Sequence, residues 1–228
     1  MSALTELDDA VIRCRACPRL VAWREQVAAT KRAAYADDEY WAKPVPGFGP
    51  EDAALAVVGL APSAHGGNRT GRMFTGDPSG DFLFRVLHEV GLASQPTSTH
   101  RGDGVTLRGT RLVSPVRCAP PENKPTPAER DTCRHWLADE LRLLAPTLKA
   151  VVVLGAFGWQ ALLPVLADAG LPVPSPRPAF AHGTVLELGD LQLHGCYHVS
   201  PRNVQTGRVT HAMVCEVFAA AASAAGLF

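Results

Sequence analysis

The sequence predicts an α/β fold on a mostly parallel sheet covered on both faces. Three observations predict it. Candidate strands alternate with candidate helices along the chain. Three of the strands, Ala54–Leu60, Ala150–Gly155 and Gly195–Val199, are continuous apolar runs, the pattern of strands buried on both sides. The irregular loops begin where strands end, as they do in sheets that build their sites at the strands' carboxyl edge. With 228 residues, 46% of them apolar, the chain has enough core for one domain. No repeat or linker divides residues 1–228.

Taken in order, residues 5–13 and 18–33 read as helices separated by the turn at Cys14–Pro18. Trp41–Gly49, with Pro44 and Pro46, reads as a loop, and Ala54–Leu60 as the first strand. A glycine-rich loop, Ala61–Gly80, follows, and Ser79 is placed to cap a helix from about Gly80 to Val90 that stops at Gly91. Residues 92–107 are polar and loop-like, and Thr110–Ser114 reads as the second strand. The next loop is stiffened by prolines and ends at Thr126, which with Glu129 forms a capping box for a helix from Pro127 to about Leu144. Ala150–Gly155 is the third strand, with a helix behind it to Ala169. Residues 171–182 form a proline-rich loop. Val185–Leu188 and Leu191–Leu193 suit a hairpin around Gly189-Asp190, and Gly195–Val199 a fourth strand. The loop Ser200–Arg208 leads to a final helix, Val209 to about Ala225.

Lysine plus arginine number 22 and aspartate plus glutamate 22, so total charge gives no sign of a polyanionic partner, although a local basic patch suffices for one. The amino-terminal stretch has early acids and no apolar signal segment, and no apolar run reaches membrane-spanning length. The expectation is a cytoplasmic protein without a membrane partner. In that compartment the pair Cys14-x-x-Cys17, with Cys118 and Cys133 further on, suits a soft metal centre better than a disulfide. Spacing alone leaves zinc and an iron–sulfur cluster both open. Cys196 and Cys215 lack such spacing and read as buried thiols.

The loops exclude two common nucleotide sites. After the first strand no Gly-Lys-Ser/Thr completes a Walker loop, and no G-x-G-x-x-G is present. That loop offers glycines for close backbone approach and the polar side chains His65, Asn68, Arg69, Arg72 and Asp77. Phe74, an aromatic in a polar loop, either packs the loop onto the core or faces a ligand. His198 leaves a buried strand at the sheet's carboxyl edge, where it either meets a substrate or serves as a hydrogen-bonded structural histidine.

Three segments together narrow these alternatives. They are Gly-Leu-Ala-Pro-Ser-Ala-His-Gly-Gly-Asn-Arg-Thr-Gly-Arg-Met-Phe-Thr-Gly-Asp at 59–77, Arg-Cys-Ala-Pro-Pro-Glu-Asn-Lys-Pro-Thr-Pro at 117–127 and His-Val-Ser-Pro-Arg-Asn-Val-Gln-Thr-Gly-Arg at 198–208. From about Cys14 to the last helix the chain resembles the family 5 uracil-DNA glycosylases of bacteria and archaea. The resemblance implies a three-layer αβα fold with a parallel four-stranded sheet, and monofunctional excision of uracil from single- or double-stranded DNA by a monomer. It also implies a [4Fe-4S] cluster on Cys14, Cys17, Cys118 and Cys133, in preference to zinc.

The resemblance further implies roles. Phe74 would stack on a base flipped out of the helix. His198 would donate to the pyrimidine O2 as negative charge develops on the leaving base. Asn123 would read the polar edge of the base. Ser114 and Ala61 would line the pocket. Related families carry asparagine at the position of Ser114, so recognition is expected to be looser and to admit hypoxanthine and xanthine. They often carry an acid or asparagine at the position of Ala61, so water activation would shift to Asp77, to Asn203 or to the backbone carbonyl of Ala61. Arg69, Arg72, Arg202 and Arg208 would contact DNA, with Arg202, Val204 or Gln205 as wedge. Lys124, beside prolines, is a poor Schiff-base nucleophile. The missing acid at Ala61 leaves room for a second reading, a non-catalytic metal-bearing DNA-binding protein, and a nucleoside or nucleotide hydrolase is a third.

Overall fold

The structure is a computed structural model that describes residues 2–228. Its elements run α1 (Ala3–Ile12), α2 (Pro18–Thr30), β1 (Leu55–Val58), α3 (Gly67–Thr70), α4 (Pro78–Glu89), β2 (Thr110–Val113), α5 (Pro127–Leu144), β3 (Ala150–Leu154), α6 (Ala156–Asp168), β4 (Val185–Leu188), β5 (Leu191–Cys196), α7 (Pro201–Gln205) and α8 (His211–Ala224). The sheet order is β2-β1-β3-β5-β4. The first four strands pair in parallel, and β4 pairs antiparallel with β5.

Strand alternation divides the core. Leu55 and Val57 of β1, with Ala150, Val152 and Leu154 of β3, face a cluster completed by Leu83 and Leu87 of α4 and Val214 and Phe218 of α8. Ala56, Val58, Val151 and Val153 face the other side, against Leu7 of α1, Leu137 and Leu141 of α5, and Leu162 and Leu166 of α6. The result is the expected three-layer sandwich. Burial on both faces is why β1 and β3 read as unbroken apolar runs.

The fold differs from the expectation at the sheet edge, within β5 and at the cap of α4, and the short helices α3 and α7 form in segments expected to be loops. The sheet has five strands rather than four, because the hairpin arm β4 joins its edge, with Val185 half exposed. The second hairpin arm and the fourth strand are one strand, β5. Gly195 does not break it; a side chain there would collide with the carbonyl of Ala181. The cap of α4 is Asp77, not Ser79: its Oδ1 accepts from the Gly80 amide at 2.9 Å, with Pro78 as the first helical residue. The capping box at Thr126 and Glu129 forms as expected.

A buried ionic clamp ties the layers. Arg111 of β2 donates to Glu140 of α5 at 2.5 Å and to Asp8 of α1 at 2.9 and 2.8 Å, and Arg117 also pairs with Glu140. Burial pushes Glu140 up, but the two guanidiniums outweigh it and hold the carboxyl below its ordinary value. Among the described residues, no helix is long and apolar enough to cross a membrane.

Candidate active site

The carboxyl ends of β1 and β5 bring two of the three sequence segments together. Gly59 follows β1, its amide bonded to the Val113 carbonyl at 2.9 Å. Phe74 lies across it: a Cβ at Gly59 would come within 2.7 Å of Phe74 Cζ. Phe74 has φ +50°, a backbone state that a bulky residue adopts only when its surroundings enforce it. It is half-buried, packed against the core and still partly open to solvent. The packing option for Phe74 is therefore met in part, and the ring keeps some exposure.

Asp77 is oriented by its helix. One carboxylate oxygen caps α4, and the other bonds the hydroxyl of Ser63, which also accepts from the Gly66 amide at 3.0 Å. His198 is a charge neighbour of Asp77. Burial depresses its pKa below the ordinary 6.5, and the Asp77 charge opposes that shift only partly. Burial thus favours the neutral imidazole, which has one N–H to donate.

Asn203 positions the loop that carries His198. Its side-chain Nδ2 donates to the His198 carbonyl at 2.8 Å, and Ser200 caps the short α7 that presents Asn203. Sequence reading placed Asn203 among water-holding candidates; its amide nitrogen is already engaged in this anchor, and Oδ1 is the atom left for a ligand.

Other expected site residues divide sharply. Ala61 packs near Leu20, Val116 and Cys118. Ser114 is 1% exposed, and its hydroxyl donates to the Val116 carbonyl at 2.8 Å, so it does not offer a free group to a base. Asn123 is exposed at φ +56°, on the surface of the proline-rich loop. Arg202 and Arg208 are exposed, with Arg208 over the Tyr197 ring at 4.9 Å.

Arg69 and Arg72 do not fit the expected phosphate contacts. Arg72 is buried, and its guanidinium bonds Asp103 at 2.9 and 2.6 Å, Thr75 at 3.0 Å and Ser98 at 2.7 Å. Arg69 bonds Asp38 at 2.6 Å and the carbonyls of His65 and Gly76, and it stacks on Tyr35. Both guanidiniums brace the loop from within. Ser63 and Asp103 are residues that sequence reading missed. Ser63 follows Pro62 at the end of a strand, a usable signal, whereas Asp103 lies in a polar segment that offers none.

The four cysteines of the quartet line one cavity with Leu20 and Trp136. Cys17 sits at the amino end of α2, and the Arg19–Glu129 pair, two bonds of 2.7 Å, ties that end to α5, which carries Cys133. Burial pushes the thiols up: Cys17 above its ordinary value, Cys118 to about 11 and Cys133 to about 12. Metal ligation would release those protons. Donors point at the sulfurs, Arg24 Nη1 to Cys118 at 2.9 Å and the Arg117 amide to Cys133 at 3.4 Å. Buried N–H groups of Arg24 and Trp136 have no partner, as fits walls built around an anionic centre. The donor set is soft, and the quartet fits a metal centre.

A second, smaller trio, Glu89, His211 and Cys215, brings its ligand atoms within 4.8 Å of one another on α4 and α8. Cys196 is buried as expected, while Cys215 in this trio is only half-buried. A cavity of about 660 Å³ opens between Leu148, Leu166 and Leu191, with Arg142 and Lys149 also in its wall.

A sequence model of the uracil DNA glycosylase superfamily matches residues 46–222. A type-5 uracil-DNA glycosylase of Mycobacterium tuberculosis is 50% identical over 226 residues, 99% of this chain and 83% of the relative. One from Thermus thermophilus is 52% identical over 94% of both chains, and one from Pyrobaculum aerophilum is 44% identical over 95% of this chain and 91% of its own. The match extends over the whole sandwich and all three loop segments, and the chain belongs to the type-5 uracil-DNA glycosylases of the uracil DNA glycosylase superfamily.

Proposed function

We propose that this protein is a DNA-repair hydrolase that releases uracil from DNA by cleaving the N-glycosidic bond without a covalent enzyme intermediate. The observation that carries the reading is the charge coupling of His198 to Asp77 at the carboxyl edge of the sheet, where the Gly80 amide and the Ser63 hydroxyl fix the carboxylate. Breaking the bond leaves positive charge on the sugar and negative charge on the base. In this reading Phe74 stacks on the flipped base, and His198 donates to O2 as the base departs. Asp77 lies on the sugar side, where its fixed charge stabilises the cation and orients water. Asn203 holds the His198 loop and offers Oδ1 to the same water. Flipping costs a few kcal/mol, and a damaged pair resists it least.

The buried, engaged hydroxyl of Ser114 supports loose base selection, with hypoxanthine and xanthine accepted beside uracil. Asn123, on the exposed loop, would reach the base only as that loop closes. Arg202 and Arg208 are the proposed DNA contacts, because they are exposed on the segment that follows His198. The quartet Cys14, Cys17, Cys118 and Cys133 is proposed to hold a [4Fe-4S] cluster. Its role is to fix the amino-terminal helices against α5. A cytoplasmic monomer acting on single- or double-stranded DNA completes the proposal.

The test is incubation with duplex and single-stranded oligonucleotides carrying one uracil, hypoxanthine or xanthine, followed by alkali. Strand breaks at the lesion are expected. DNA binding without breaks at any lesion would mean a non-catalytic binding protein, and cleavage confined to free nucleosides would mean a nucleoside hydrolase. Either result overturns the proposal.

A further inference from the structure

Four arginines are buried among the described residues: Arg24, Arg72, Arg111 and Arg117. Arg72 pairs with Asp103, Arg111 with Asp8 and Glu140, and Arg117 with Glu140. Arg24, 2% exposed, pairs with no carboxylate. Its neighbour Glu25 is turned toward solvent and held by Arg15. Instead, Arg24 Nη1 points at Cys118 Sγ from 2.9 Å and Nη2 at the Cys14 carbonyl from 3.3 Å, while Nε has no partner. A guanidinium keeps its proton inside proteins, so its charge must be met there. A neutral thiol is a weak acceptor and does not offset the desolvation of a buried cation. A metal-bound thiolate does.

The opposite end of the same residue faces the catalytic loop. The Arg24 carbonyl accepts from Asn68 Nδ2 at 3.1 Å. Asn68, 1% exposed, donates its own amide to the Ser63 carbonyl at 3.0 Å, and the Ser63 hydroxyl bonds Asp77. Cys118, Arg24, Asn68, Ser63 and Asp77 thus form one continuous path.

We propose that Arg24 is the buried countercharge of the cysteine-held centre and the positioning residue through which that centre fixes the loop carrying Asp77. The inference rests on the proposed cluster. Removing a cation beside an anionic centre disfavours the electron-rich state, so its reduction potential falls. Losing the N–H···S bond exposes Cys118 to exchange, so the centre is lost faster.

The experiment compares anaerobically purified wild type with Arg24→Met, Arg24→Lys, Asn68→Ala and, as an exposed control, Arg142→Met. It reads iron and sulfide per chain, reduction potential, bleaching rate in chelator and amide exchange across residues 63–77. Arg24→Met is expected to bleach at least about tenfold faster, with a more negative potential and faster exchange in the loop. Arg24→Lys keeps the charge and is expected to hold the potential near wild type while bleaching faster. Asn68→Ala is expected to loosen the loop and leave the potential unchanged, and Arg142→Met to change nothing. Wild type without iron and sulfide would sink the cluster reading itself. A loaded Arg24→Met protein with wild-type potential and bleaching would overturn the countercharge role alone. If the Met variant does not fold, a Lys variant whose potential departs clearly from wild type overturns it equally. Unchanged loop exchange in both Arg24 and Asn68 variants would overturn the positioning role.

Discussion

Replacing Asp103 by alanine separates the structural reading of Arg72 from a DNA-contacting one. The pair is closed on both sides, with side chains 7% and 6% exposed. Asp103 also accepts from the amides of Thr99 at 2.8 Å and Val105 at 3.1 Å. Without it Arg72 would remain charged and buried, with Thr75 and Ser98 as its neutral partners. Breaking a buried pair from one side costs about 3–5 kcal/mol. In a chain of this size each kcal/mol moves Tm by about 2–4 °C, so a fall of roughly 10 °C is expected. Burial pushes the Asp103 carboxyl up, but the bonds from Arg72, Thr99 and Val105 outweigh that and hold it well below the carboxylate range. Its folded value lies below its unfolded one, so its contribution is complete at neutral pH and declines as pH falls below the ordinary 3.8. Thermal unfolding at pH 7 and at about pH 3 should show the Asp103→Ala deficit shrinking in acid. DNA affinity, measured against salt, should keep its slope. A variant with wild-type Tm and a steeper salt slope would refute this account, because Arg72 would then be free for phosphate.

Two more perturbations probe the catalytic edge. Gly59→Ala places a methyl 2.7 Å from Phe74 Cζ, so the ring must move; kcat/KM for uracil release should fall about tenfold while Tm stays within a few degrees, and unchanged kinetics would remove Phe74 from base stacking. Arg202→Ala and Arg208→Ala should each weaken DNA binding and lower its salt slope by about one, and slopes equal to wild type would place the phosphate contacts elsewhere.

Much of the fold was legible in the sequence because the signals were local. The apolar runs of β1 and β3 announced strands buried on both faces, and Thr126 with Glu129 marked the start of α5 to the residue. Gly195 misled because glycine marks both turns and close approaches, and only the nearby Ala181 carbonyl distinguishes them. Ser79 and Asp77 both had capping chemistry, and the extended backbone at Asp77 decided between them. The loop segments placed His198, Asp77 and Phe74 at one edge. They could not reveal that Arg72 is consumed by Asp103, 31 residues away, or that Ser114 donates to Val116. Arg24 was invisible for the same reason. A charged residue in a helix reads as surface until its neighbours are known, and here the neighbour is Cys118, 94 residues on.

The central claim is that a neutral His198 stabilises the departing base beside Asp77. Single-turnover release of uracil from a duplex, at pH 7 and saturating enzyme, tests it most directly. Loss of one preorganised donor costs about 10²–10³ in rate, and His198→Ala should slow release by that factor while binding uracil-DNA nearly as well as wild type. A His198→Ala enzyme that releases uracil within about threefold of the wild-type rate would contradict the account.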